Sequence, residues 1–239
     1  LLRERFGAEV EVVAKSTPTD LASEADLAAE RAIRELLAGR RPGDELLGEE
    51  EGGSVAPLAP GRVRWVFDPL DGTINYLFGL PQWCVSVACE DADGALAGVV
   101  FDPMLDELFT ATRDSGPFLN GEPVGAGPVR PPAESLVATG FAYDAQVRRL
   151  QATIVGAMLP EFRDVRRMGS AALDMAWLAA GRYDAYFERT VKPWDVAAGT
   201  LLCRRAGLEV RDLPARDGLP YGVMAGRPAL LDALARFDP

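Results

Sequence analysis

Histidine is missing altogether from this chain of 239 residues. Its absence excludes Ser-His-Asp and Cys-His nucleophilic pairs, phosphohistidine chemistry and zinc sites that need an imidazole. Hydrolysis is left to carboxylates, hydroxyls, backbone amides and hard metal ions. Cysteine is scarce, with Cys84, Cys89 and Cys203 an odd set. The first two stand five apart in an apolar run, which suits buried thiols better than zinc ligands or a disulfide framework. That usage predicts a reducing, cytoplasmic setting. Lysine is confined to Lys15 and Lys192, and with the many Ala, Gly and Pro this reads as coding bias. No apolar run approaches the length of a membrane span. Leu1-Leu2-Arg3-Glu4-Arg5 has no secretory pattern. Position 1 is not Met, so the native start is read as missing or processed.

What is present is an ordinary globular composition, 48% hydrophobic and 26% charged, enough for one large domain or two modest ones sharing a core. Acids outnumber bases, 36 to 25, for a net charge of −11. Nucleic-acid backbones are gripped by basic patches, so direct nucleic-acid binding is not expected. An anionic substrate would require a local cation to invert the field.

Ser23-Glu24-Ala25-Asp26 has the form of a capping box, followed by Leu27, Ala28, Ile33, Leu36 and Leu37 at helical spacing. The pattern predicts a helix over about 24–38, ended by Gly39 and Pro42. Strands are predicted at 63–67, 83–89, 95–101, 107–112 and 118–124, with a hairpin at Asp91-Ala92-Asp93-Gly94. Beyond a Gly- and Pro-rich stretch at 125–132, strands and helices alternate. Strands are expected at 136–139, 165–167, 184–188, 208–212 and 221–225. Helices are expected near 143–158, 170–180, 195–206 and 227–236. A boundary falls within that stretch, separating an N-terminal α+β half (1–128) from a C-terminal α/β half (129–239).

Three segments carry candidate chemistry. Asp68-Pro69-Leu70-Asp71-Gly72-Thr73 follows a strand, where α/β proteins present ligands. Two acids three apart there can address one hard cation, with the Leu70 carbonyl between them; a polar turn satisfying its own amides is the competing reading. Gly48-Glu49-Glu50-Glu51-Gly52-Gly53 reads by itself as a solvated acidic loop. In Trp194-Asp195-Val196-Ala197-Ala198-Gly199 the default role of Asp195 is capping. The small residues after it would let the helix start lie tight against a neighbour.

Taken together, Lys15, Asp20, Asp26, Gly48-Glu49-Glu50, Asp68-Pro69-Leu70-Asp71-Gly72-Thr73-Ile74-Asn75, Gly169-Ser170-Ala171-Ala172, Glu188 and Trp194-Asp195-Val196-Ala197-Ala198-Gly199 resemble, in this order and over nearly the whole chain, the inositol monophosphatase family. The resemblance implies a layered α-β-α-β-α sandwich with two sheets between helix layers. It implies a homodimer, frequent inhibition by lithium, and a Mg²⁺-dependent phosphomonoesterase using two or three ions, with Mn²⁺ as a substitute. Glu49, Asp68, the Leu70 carbonyl, Asp71 and Asp195 match metal ligands. Asp26, Glu49 and Thr73 match catalytic positions, with Asp26 and Thr73 orienting and deprotonating the attacking water. Asp71, Gly72, Thr73, Gly169, Ser170, Ala171, Glu188 and Asp195 match substrate-binding positions, and Lys15 matches a base near the metals. The expected substrate is inositol monophosphate or a related sugar phosphate. The alternatives are 3′-phosphoadenosine 5′-phosphate, fructose 1,6-bisphosphate, histidinol phosphate, or a regulatory role with RNA polymerase or ribosome assembly.

The physics agrees. Carboxylates about 4 Å apart repel by about 4 kcal/mol per pair at an effective dielectric near 20, so such a cluster implies bound cations or raised pKa values. All-oxygen ligation favours Mg²⁺ or Mn²⁺ over Zn²⁺. Two departures stand out: Arg205-Ala206-Gly207-Leu208 where the family usually reads Glu-Ala-Gly-Gly, and Asp114-Ser115-Gly116-Pro117-Phe118 in place of a more glycine-rich hairpin. Most of the family's first helix is also absent.

Overall fold

A computed structural model describes residues 1–8, 12–14 and 21–238. Lys15 and Asp20, both part of the resemblance, lie outside the described residues. The chain opens with the short helix α1 (Leu2–Arg5), then β1 (Val12–Ala14) and β2 (Leu21–Ser23) pair antiparallel. The long helix α2 (Glu24–Arg40) leads into β3 (Glu45–Gly48) and β4 (Arg64–Asp71). The single turn α3 (Thr73–Leu77) precedes β5 (Cys84–Asp91), β6 (Gly94–Asp102), β7 (Glu107–Thr112), β8 (Ser115–Leu119) and β9 (Glu122–Pro123). Strands β3 to β9 form one sheet in sequence order, parallel only between β3 and β4.

The second sheet is mixed, in the order β11-β10-β12-β14-β13. It is built from β10 (Leu136–Thr139), α4 (Ala145–Met158), β11 (Asp164–Arg166), α5 (Ala171–Ala179), β12 (Ala185–Arg189), α6 (Pro193–Arg205), β13 (Glu209–Leu213), β14 (Gly222–Gly226) and α7 (Pro228–Ala235). Helices α5 and α6 lie between the two sheets, packed on both. Helix α2 covers the far face of the large sheet, and α4 and α7 cover the far face of the small one. The layers therefore run α-β-α-β-α, as the sequence resemblance implies.

Alternation along the small sheet explains its two cores. In β10 and β12, Val137, Ala185 and Phe187 face α4 and α7, while Ala138 and Tyr186 face α5 and α6. Helix α5 is buried nearly all round because it has a sheet on each side. Gly199 in α6 lies against Met175 of α5 with no room for a methyl group, and Ala198 abuts Gly98 of β6. The small residues after Asp195 do serve tight packing.

Local expectations fare unevenly. The capping box at Ser23 forms, with the Ser23 amide donating to Asp26 Oδ2 at 2.8 Å and the Asp26 amide to Ser23 Oγ at 3.4 Å. Helix α2 runs through Gly39 to Arg40, so Gly39 does not end it; the Arg41 amide closes on the Leu37 carbonyl at 2.7 Å. Its buried face is not the leucine stripe. Leu27 and Leu36 are exposed, and Ala25, Asp26, Ala29, Glu30 and Leu37 point inward. Strand β4 continues past Phe67 to Asp71, with a register shift between Asp68 and Asp71, so the acidic motif is strand and not turn up to Asp71. The Asp91–Gly94 hairpin forms as expected, and all three cysteines are buried free thiols. The two departures meet each other: the Arg205 guanidinium donates to the carbonyls of Arg113 and Asp114, both at 3.2 Å, fastening the end of α6 to the β7–β8 hairpin. Among the described residues no helix is long and apolar enough to cross a membrane.

Candidate active site

The expected residues come from both sheets and from the helices beside and between them, and converge at the seam between the sheets. Strand β4 delivers Asp68 and Asp71 through its irregular end, and the loop after β3 delivers Glu49. Gly72, at φ 100°, turns the chain from β4 into α3, a conformation that costs a residue with a side chain. That turn brings Thr73 back under Leu70. Helix α5 begins at Ala171, β12 ends just past Glu188, and α6 places Asp195 in its first turn.

A cavity of about 290 Å³ lies at this junction. Glu49, Asp68, Leu70, Asp71, Gly72, Thr73, Gly169, Ala171, Glu188 and Asp195 all line it, with Phe141, Tyr143, Arg167, Lys192 and Trp194 on the remaining wall. Two expected residues stand behind the wall. Ser170, 1% exposed, turns its hydroxyl to Asp71 Oδ2 at 2.8 Å and caps α5 through the Leu173 amide, so its side chain supports an acid of the cavity. Asp26 is fully enclosed and reaches the cavity through Thr73, whose hydroxyl lies 2.9 Å from Asp26 Oδ1 and 3.0 Å from the Leu70 carbonyl.

The carboxylates follow one rule. Asp68, Asp71, Asp195 and Glu188 each have one oxygen held by the protein's own donors. Asp68 Oδ1 accepts from the Leu70 amide at 2.8 Å. Asp71 Oδ2 accepts from Ser170 Oγ and from the Ala172 amide at 2.6 Å. Asp195 Oδ2 accepts from the Lys192 amide at 2.7 Å, so Asp195 is both a cap and a cavity acid. Glu188 Oε2 accepts from the Tyr186 hydroxyl at 2.9 Å.

Electrostatics marks the set as incomplete. Burial pushes Asp68 well above the usual carboxylate range, and repulsion from Glu49, Asp71 and Asp195 pushes the same way. Burial likewise raises Asp195, with Asp71 and Glu49 adding repulsion. Asp71 is lifted to about 6 by burial, against the pull of Ser170 and Ala172. Glu188 is lifted to about 7, again chiefly by burial. Among the described residues no Lys or Arg forms an ion pair with Asp68, Asp71 or Asp195. Among the described residues no three acids stand close enough together to grip an ion as they lie. They nevertheless share one cavity and offer only oxygen. A hard divalent cation fits that donor set.

Sequence reasoning missed Glu30, which is fully buried behind the Glu49 loop, and Tyr186. The signal for Glu30 was a carboxylate one turn after Asp26, on the same helix face.

Comparison with known proteins agrees with this geometry. The sequence profile described as "Inositol monophosphatase family" matches residues 1–236. An inositol-1-monophosphatase of Mycobacterium leprae is 43% identical over 242 residues, covering 95% of this chain and 82% of the relative. A protein of Xylella fastidiosa named Nus factor SuhB is 42% identical over 218 residues, covering 91% and 78%. The crystal structure of the extragenic suppressor protein suhB from Bartonella henselae superposes with a TM-score of 0.88 at 33% identity, covering 99% of this chain and 92% of that one.

Proposed function

Because the chain belongs to the inositol monophosphatase family and is thereby a phosphoric monoester hydrolase, we propose that it hydrolyses the monophosphate of a cyclitol or a related small sugar, with divalent cations, Mg²⁺ foremost, held at Glu49, Asp68, the Leu70 carbonyl, Asp71 and Asp195. The carrying observation is the shared cavity in which these residues meet, each acid of the β4 and α6 set with one oxygen fixed by the protein's own donors. Bound there, the cation would supply charge neutralisation for the phosphate and an acidified water.

The chain's own residues do the rest. Thr73 has a single hydroxyl hydrogen, directed toward Asp26 Oδ1 or the Leu70 carbonyl, so its lone pairs are turned to the cavity. A water there can donate to Thr73 while Thr73 donates to Asp26, which takes the proton. Thr73 therefore touches the nucleophile and Asp26 acts through it. The start of α3 adds the backbone amides of Gly72 and Thr73 as phosphate donors. Glu188 and the Gly169–Ala171 backbone face the organic part, and Glu188 offers an acceptor for a ring hydroxyl. Arg167 and Lys192 on the wall attract an anion into an otherwise acidic protein. We read the assembly as a cytoplasmic homodimer without a nucleic-acid partner.

Phosphate release should require Mg²⁺ and should vanish in Asp68→Asn; a variant as active as the parent overturns the reading. Rates across inositol 1-phosphate, fructose 1,6-bisphosphate, 3′-phosphoadenosine 5′-phosphate and histidinol phosphate would identify the substrate. The name of the Xylella relative favours a second reading, a Nus-factor role, which negligible hydrolysis of every one of these would support.

A further inference from the structure

Glu30 is a carboxylate with no exposed surface, on α2 one turn after Asp26, and it touches no part of the cavity. Residues of this type are buried only when something holds their charge. Here the holding groups belong to the loop after β3. Glu30 Oε2 accepts from the Glu50 amide at 2.8 Å and Oε1 from the Glu51 amide at 2.9 Å. Arg34, a further turn along α2, donates through Nε to Glu30 Oε1 at 2.9 Å, and its other nitrogen donates to the Gly52 carbonyl at 2.7 Å. The guanidinium also lies 5.4 Å from the centre of the Phe67 ring in β4. A methyl group at Gly48 would overlap the Glu30 carboxylate and that ring.

The loop is thus fastened from behind on both sides of Glu49. Gly48 closes against the carboxylate, while Glu50, Glu51 and Gly52 are tied to the Glu30–Arg34 pair. An ordinary i,i+4 ion pair on a helix surface contributes little and holds no second segment. This one faces inward, and three of its hydrogen bonds leave the helix. The same helix also carries Asp26, so one rigid element sets both the proton acceptor and the Glu49 loop.

We infer that Glu30 and Arg34 are a positioning pair for the divalent-cation site: they fix the loop so that Glu49 meets the cavity before the cation arrives, and so set affinity for the cation, not the rate of the chemical step. The inference rests on the reading of the cavity as a divalent-cation phosphatase site.

The test is calorimetric titration of the 239-residue chain with Mg²⁺, repeated with Mn²⁺. Glu30→Gln keeps the shape but places an amide donor against N–H groups. It should weaken cation binding about 10- to 100-fold, the range for partners that orient ligands from behind. At saturating Mg²⁺ its kcat should recover to within about threefold of the parent, and the Glu50 and Glu51 amides should exchange hydrogen faster. Arg34→Lys keeps the charge and loses the fork, so it should weaken cation binding about threefold to tenfold and carries the test if Glu30→Gln fails to fold. Cation affinity equal to the parent's in the folded variants, whatever happens to melting temperature, overturns the inference. A parent that binds no divalent cation overturns the functional reading instead.

Discussion

At the scale of single residues, the site divides labour between the two oxygens of one carboxyl group. Asp26 is the clearest case, with Oδ2 accepting from the Ser23 amide in the cap and Oδ1 receiving the Thr73 hydroxyl. Capping and the proposed proton transfer therefore do not compete. Asp26→Asn keeps an oxygen for the cap and loses the proton acceptor, so hydrolysis should fall by about 10²- to 10⁴-fold. Its melting temperature should change little, whereas Asp26→Ala should also lose about 1 kcal/mol of helix cap; steady-state rates and thermal melts separate the two. Glu188 offers a second case. Its carboxyl lies where a methyl group at Gly140 would sit, and the Tyr186 hydroxyl draws its pKa down against the stronger effect of burial. Tyr186→Phe removes that pull, so Glu188 should stay protonated to higher pH than the value of about 7 it has here. The pH at which KM for a polyol phosphate changes should move upward, with kcat at the optimum within about threefold, since one hydrogen bond is worth about 1 kcal/mol. An unmoved KM profile would remove Tyr186 from substrate recognition.

Secondary-structure elements were legible where periodicity and turn chemistry agree. The Asp91–Gly94 hairpin, the helix after Ser23 and the alternation beyond residue 132 all follow from local signals. The short α3 and the extension of β4 were not legible, because Pro69 and Gly72 read as turn punctuation while the neighbouring β5 pairs with the strand on both sides of a bulge. Helix α2 misled in an instructive way. Its leucines predicted one buried face, yet the face turned inward carries Asp26 and Glu30, acids that are tolerable there only because the cap, Thr73 and the Glu49 loop satisfy them. The motif acids could be named from their order along the chain, but Glu30 and Ser170 hold their partners through contacts that no local spacing reveals. The end of β12 is tied down in the same hidden manner. Arg189, 1% exposed, donates to Asp238 at 2.9 and 2.7 Å and to the carbonyls of Pro214 and Pro220, both at 2.8 Å. Removing one partner leaves an uncompensated buried charge, so Asp238→Ala should cost about 3–5 kcal/mol. For a chain of this size that is about 6–20 °C of melting temperature. A melt within about 2 °C of the parent would show that the tail is not a structural clasp.

For the whole molecule, the acids matter because two sheets deliver them to one place. Glu49, Asp68 and Asp71 come from the large sheet, Glu188 from the small one, and Asp195 from the helix between them, so the site forms only when the layers close. Closing them gathers like charges out of water, a cost that the proposed cation would relieve. The sign follows from linkage. Asp71 is raised from 3.8 to about 6 and Glu188 from 4.5 to about 7. Between about pH 4 and about pH 7 the folded chain therefore holds protons that the unfolded chain has released, and stability falls as pH rises. Carboxylates lowered by arginine, such as Asp91 beside Arg113 and Asp164 beside Arg166, act in the opposite direction but only below about pH 4. Metal-stripped protein should accordingly melt at progressively lower temperature from about pH 4.5 to about pH 7. Mg²⁺ replaces the protons, so its stabilisation should grow over the same interval, reaching about 2.7 kcal/mol at a hundredfold excess over Kd. Asp68→Asn, which removes one repelling charge, should flatten both trends. Differential scanning calorimetry with chelator and with Mg²⁺ measures them together, and a melting temperature that climbs across this window without metal would mean that the acids do not share a desolvated site.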